Sequence, residues 1–206
     1  MRKGLLFYTL LLPLVYIARF SPFGHSLFRW SLWLLLIYTV LPLLLAWAFG
    51  FSKEDVGLST PRGDVLRPLS LLLLLAFLLS IAGTRVPSMV SYYPRFSFSG
   101  VPGFIAGELV MGLIMLTHEL FFRGFMTFPL VRWNWKAAVL LQDIPYALAH
   151  LGKPGLEVPY SFLAGIVFDW LDVRGRSFIP SFVLHWTGSV VFDVLCVLVK
   201  AGVLSA

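Results

Sequence analysis

The chain has 206 residues, of which 59% are hydrophobic and only 13% charged, and its mean hydropathy is +0.87; these proportions exclude an ordinary soluble globule and require an integral membrane protein. Sixteen Lys and Arg against ten Asp and Glu leave a net charge of +6, which in a membrane protein belongs to short loops facing anionic lipid and does not argue for nucleic acid, because no basic stripe or nucleic-acid module accompanies it. A single cysteine, Cys196 in the run VVFDVLCVLVK, excludes an intrachain disulfide and Cys-rich metal spacing; it reads as a small buried apolar side chain.

A spanning helix needs about 20 mostly apolar residues. The N-terminal stretch MRKGLLFYTLLLPLVYIARF starts basic and turns apolar, but lacks a small-residue cleavage site before SPFGHS, so it reads as a retained first span over residues 4–19. Further spans are predicted over 30–50, 67–84, 102–126, 136–151, 159–173 and 177–199, the fifth and sixth short enough to be tilted, broken or re-entrant. The expected fold is therefore all-α, a polytopic integral membrane helical bundle of about seven transmembrane helices. Residues 1–100 supply N-terminal helices and residues 101–206 the core helices of one membrane domain.

The connecting segments carry interface chemistry. FSKEDVGLSTPRGDVLR is charged, VPSMVSYYPRFSFSGVPG is aromatic and rich in Gly and Pro, and FPLVRWNWK combines Trp133 and Trp135 with Arg132 and Lys136. Counted with an inward N-terminus, nine Lys and Arg (Arg2, Lys3, Lys53, Arg62, Arg67, Arg132, Lys136, Arg174 and Arg176) fall inside and six (Arg19, Arg29, Arg85, Arg95, Lys153 and Lys200) outside. That asymmetry predicts a cytoplasmic N-terminus in a multi-pass protein of a cell membrane, the inner one if the source is prokaryotic.

An ionisable group in hydrocarbon costs at least a few kcal/mol, so each one points to function and should face the bundle interior or a water-filled cavity. The stretch LIMLTHELFFRGFM places His118, Glu119 and Arg123 in the fourth span, with Glu119 and Arg123 four apart on one face as a favourable carboxylate–guanidinium pair. His150 in PYALAHLG and His185 in FVLHWTGS fall in the fifth and seventh spans, and Ser189 shares a face with His185. Imidazole is the side chain best suited to proton transfer near neutral pH, so three intramembrane histidines beside a Glu and an Arg point to acid–base chemistry. The fourth histidine, His25, lies in a polar linker without such company.

These residues resemble the motifs of the CPBP intramembrane endopeptidases, a family that includes CAAX prenyl proteases and bacteriocin-processing or immunity proteins. The family's EExxxR, FxxxH and HxxxN are matched in order by His118-Glu119-Leu-Phe-Phe-Arg123, by Tyr146-Ala-Leu-Ala-His150 and by His185-Trp-Thr-Gly-Ser189, across residues 102–195. The resemblance implies an intramembrane endopeptidase with a CPBP-like core in residues 101–206. Its substrate would be a membrane-associated peptide or protein, possessing or lacking a lipid group, such as a CAAX-like tail or a C-terminal sorting segment. The chain departs from the family at His118, where the family has the glutamate assigned as the base, and at Ser189, where it has asparagine.

Peptide hydrolysis needs a base for water, a donor for the oxyanion and an acid for the leaving amine. The expected assignment gives His118, or Glu119 with it, the water, and makes His150 and His185 the donors. Arg123 orients Glu119, and Ser189 adds a hydroxyl donor. No cofactor is required by this scheme. Zinc is the alternative, a set of three His plus a carboxylate with open coordination for water and Glu119 as base; its ligands would come from separate helices, because HExxH would need a histidine where Phe122 stands. Two further alternatives are a catalytically weakened peptide-binding or immunity relative, and a proton-relay transporter, against which the lack of an internal repeat counts. Glu108 lies nearly on the face of Glu119 three turns earlier; Asp143 is placed to orient His150, while Asp169 and Asp193 serve interhelical hydrogen bonds and Gly103 and Gly107 close packing.

Overall fold

The computed structural model describes residues 2–24 and 26–204; His25 lies outside the described residues. Among these, all regular structure is helical. Eight helices follow one another: α1 (Arg2–Ile17), α2 (Leu27–Ala48), α3 (Gly63–Gly83), α4 (Pro87–Tyr92), α5 (Gly100–Val131), α6 (Trp135–Ala149), α7 (Glu157–Gly175) and α8 (Ile179–Lys200). Each of the seven sequence-predicted spans coincides with one of them to within a few residues, and α4 is the addition, inside a segment read as an aromatic interface loop.

Four helices, α2, α3, α5 and α8, are long and apolar enough to cross a bilayer. The other three predicted spans differ for physical reasons. α1 has 16 residues and α6 has 15, so at 1.5 Å per residue each reaches only about 24 Å, short of a hydrocarbon core of about 30 Å. α7 is long enough at 19 residues but carries Glu157, Asp169, Asp172 and Arg174.

α5 organises the bundle. Its 32 residues extend for about 48 Å, and Leu120 to Thr127 are all buried, so its second half runs through protein on every side. α2 and α8 pack along its first half, α6 and α7 along its second, α1 closes over α6, and α3 lies outermost against α8. Close approach of α5 and α8 depends on Gly112, where a Cβ would fall 2.6 Å from the Trp186 ring. Phe96 occupies the space of the missing Cβ on Gly107, which is the close packing expected there.

Prolines shape the helices locally. α2 and α5 each contain a π-helical stretch, Leu35–Val40 and Leu120–Thr127, and each stretch stops two residues before a proline, Pro42 or Pro129. Proline offers no N–H to the carbonyl four residues back and its ring crowds that carbonyl, so one wider turn ahead of it relieves the clash. Pro13 and Pro145 sit inside α1 and α6 without a π turn. At Pro145 the carbonyl left without a helical donor is that of Leu141, and the Tyr8 hydroxyl from α1 donates to it at 2.6 Å. Asn134 starts α6, its side-chain oxygen accepting from the N–H groups of Lys136 and Ala137.

Candidate active site

The π stretch of α5 begins at the residue after Glu119, and π turns of this kind gather at functional sites because they turn side chains out of ordinary helical register. Glu119 is fully buried and both its oxygens are engaged. Oε1 lies 2.6 Å from His185 Nδ1 on α8, and Oε2 lies 3.3 Å from Arg123 Nε. The Arg123 contact is an ion pair without hydrogen-bond alignment, and both guanidinium Nη atoms are buried without a hydrogen-bond partner among the described residues. The guanidinium is instead seated on aromatic faces, 4.0 Å from the Tyr146 ring centroid and 5.6 Å from that of Phe168.

The immediate imidazole partner of Glu119 is thus His185, and His118 points elsewhere. Neighbouring helical residues project about 100° apart, so positions 118 and 119 face different sides of α5. His118 donates through Nδ1 to the Ile114 carbonyl at 2.9 Å and sets its ring edge-on to Tyr38 at 5.1 Å. His150 caps α6; its Nδ1 donates to the Tyr146 carbonyl at 2.9 Å and its ring meets Tyr146 at 4.7 Å. It does not bond Asp143, which the sequence reading offered as its orienting partner. Asp143 faces α7, filling the space that a Cβ on Gly165 would need. Aromatic contacts join His118 to His150: the Phe122 ring lies 6.1 Å from His118 and 5.2 Å from Tyr146, which in turn meets His150. Ser189 follows one turn after His185 on α8, with no side-chain hydrogen bond among the described residues.

All three imidazoles have Nδ1 against an oxygen that can only accept. Their Nδ1 atoms therefore carry the hydrogen, and in the neutral form each Nε2 presents a lone pair. Such lone pairs, backed by carbonyls and a carboxylate, suit a metal ion chemically. Among the described residues, however, no three His, Cys, Asp or Glu side chains lie close enough to share one, so the residues as placed do not fit the zinc set and no step below passes through a metal.

Buried carboxylates hold the surrounding helices. Asp172 on α7 accepts from the Ser181 N–H at 2.9 Å, capping the first turn of α8 one turn ahead of His185. Asp169 accepts from the Thr127 hydroxyl at 2.8 Å, the interhelical bond expected of it. Glu108 on α5 and Asp193 on α8 are both buried, and none of their carboxylate oxygens has a hydrogen-bond partner among the described residues, so the interhelical bond expected of Asp193 is not made. Asp172 and the Tyr146 seat beneath Arg123 have no local sequence signal, because each acts on a helix other than its own. Cys196 is fully buried.

The family model described as Type II CAAX prenyl endopeptidase Rce1-like matches residues 99–191. The matched stretch runs from the residue before α5 into α8 and contains Glu119, Arg123, His150 and His185. No curated protein and no solved structure matches the chain. The match supports a hydrolase of the CAAX-type intramembrane protease kind, set in a bilayer and acting on a peptide substrate. The match over residues 99–191, the carboxylate–imidazole centre included, supports membership of the CAAX protease (CPBP) family.

Proposed function

We propose that the chain hydrolyses a peptide bond in a membrane-associated substrate, a CAAX-like tail or a C-terminal sorting segment, by water activated at His185 and Glu119. The observation carrying this reading is the 2.6 Å contact between Glu119 and His185 in a fully buried pair braced by Arg123. Glu119 is sealed from solvent, whereas the His185 side chain is 24% exposed. Its Nε2 is the accessible proton acceptor, and Glu119 holds the tautomer and stabilises the imidazolium that forms.

The proposed sequence is short. His185 Nε2 takes one proton from water as the water oxygen bonds to the scissile carbonyl carbon. The carbonyl oxygen becomes an oxyanion, met by the Ser189 hydroxyl. The C–N bond then breaks and the proton on His185 passes to the leaving nitrogen, which returns the centre to its starting state. Arg123 is a positioning residue, since it is sealed from solvent.

A second reading is a peptide-binding relative that does not turn over. It is favoured by the three Nε2 lone pairs, because in the neutral form none of these nitrogens donates to an oxyanion. Purified protein in liposomes, given a dye-labelled prenylated peptide ending Cys-Ala-Ala-Met, separates the two. Cleavage by the wild type that is lost in His185→Gln and Glu119→Gln and insensitive to a chelator supports the protease without metal. Chelator inhibition reversed by zinc overturns the metal-free scheme, and binding without cleavage supports the second reading.

A further inference from the structure

His150 caps the end of α6. Lys153 follows within the same turn, its N–H donating to the His150 carbonyl at 3.2 Å, and its ammonium lies 3.1 Å from Glu157 Oε2. The other Glu157 oxygen accepts from the Tyr93 hydroxyl, and Lys200 Nζ donates to the Tyr93 carbonyl at 2.6 Å. These bonds stitch the segment before α5 to the start of α7 and the end of α8.

Arg95 sits on that stitched segment and is exposed. Its guanidinium lies 5.7 Å from the ring centroid of Trp30 and 5.3 Å from that of Tyr92, and Trp30 in turn meets the His118 ring at 6.4 Å. Tyr93, two residues before Arg95, is bonded to the same Glu157 that pairs with Lys153, so the segment carrying Arg95 is fastened beside Lys153 and, through it, beside His150. Burial pushes the Lys153 amine below the ordinary lysine range; Glu157 opposes this, and the like charge of Arg95 adds to it. Glu157 pairs with Lys153, and among the described residues the Arg95 guanidinium has aromatic rings and no carboxylate against it, so an arriving anion gives Arg95 a charge-assisted partner.

We propose that Arg95 and Lys153 form an anion-recognising rim beside His118 and His150 that receives the free C-terminal carboxylate of the peptide. The idea rests on the protease reading only in taking a peptide as the ligand. Anchoring the terminal carboxylate sets how many residues from the end the scissile bond lies, so the rim fixes the register of the cut. An anionic lipid headgroup has the same chemistry and is separated experimentally.

The test uses full-length protein in liposomes and the dye-labelled prenylated peptide ending Cys-Ala-Ala-Met, with a free or an amidated C-terminus, in phosphatidylcholine alone or mixed with phosphatidylglycerol. Binding is read on Glu119→Gln, and KM and kcat on the parent. The free carboxylate is expected to bind about ten-fold more tightly than the amide, the worth of one charge-assisted hydrogen bond. Arg95→Gln/Lys153→Gln erases that difference and Lys153→Arg retains it. Arg95→Gln alone, at an exposed position, narrows the difference without touching the Glu157 pair. If phosphatidylglycerol, not the free terminus, is what the double variant ceases to sense, the anion is a headgroup. Equal binding of free and amidated peptides in both lipids overturns the rim. Carboxylate preference without cleavage leaves the rim standing and removes the protease reading, and cleavage without preference does the reverse.

Discussion

Replacing Glu119 by glutamine removes one charge from a pair that is fully buried on both sides. Arg123 then keeps its charge with both Nη atoms lacking a hydrogen-bond partner, and breaking a buried pair from one side costs about 3–5 kcal/mol. Arg123→Met strands the carboxylate instead and also loses the 4.0 Å stack on Tyr146, so its cost is of the same order plus about 1 kcal/mol. The double variant Glu119→Gln/Arg123→Met leaves neither charge alone, and is expected to recover at least about 2 kcal/mol relative to the sum of the singles. Activity behaves differently. Without the carboxylate, the His185 tautomer and its imidazolium lose their support, a loss of about 10⁴ in kcat when only the orienting acid is removed, and Arg123→Met cannot restore it. Denaturant or thermal unfolding in detergent, read by tryptophan fluorescence, gives the coupling; peptide cleavage gives the rate. Singles that add without coupling, or a double variant that cleaves like the parent, would refute the buried-pair reasoning.

Other outcomes follow from single contacts. Tyr8→Phe removes the donor to the carbonyl stranded by Pro145 and should cost about 1 kcal/mol in unfolding measurements; in a Pro145→Ala background, where the helix supplies its own donor, that cost should shrink toward zero. Gly165→Ala drives a methyl into Asp143 and should lower stability by about 1–3 kcal/mol. Asp172→Ala removes the cap of α8, costing about 1 kcal/mol, and because it frees the turn ahead of His185 its kcat should fall while KM holds. Outside the membrane, the Ser52 backbone N–H donates to Asp55 at 3.1 Å and holds that carboxyl below its ordinary 3.8. A depressed acid stabilises the fold above its unfolded value and loses that contribution as pH falls through the folded one, so Asp55→Asn should flatten the acid side of a stability–pH profile below about 4.

Much of the architecture is legible in the chain because lipid demands long apolar runs, and those runs end where Asn134, Gly and Pro allow no continuation. α4 escaped because six residues between aromatic and proline-rich flanks carry no periodic signal. The two π stretches escaped because their cause lies downstream, at Pro42 and Pro129, while their effect falls on the preceding turns. Within the site, the pairing of Glu119 with Arg123 follows from helical spacing alone. The choice of His185 over His118 as the partner of Glu119 does not, since it depends on which helix packs against which face of α5. The seat of Arg123 on Tyr146, the capping of α8 by Asp172 and the meeting of Arg95 with Trp30 are likewise contacts between distant segments, which residue spacing cannot encode.

The central claim is that Glu119 and His185 act as one unit. Single-turnover cleavage of the prenylated Cys-Ala-Ala-Met peptide by wild type, Glu119→Gln, His185→Gln and the double variant tests it most directly. The account expects strong losses in both singles and a double variant no slower than the slower single, because residues of one unit are not additive. Multiplying losses, or wild-type cleavage that persists in both singles, would contradict it.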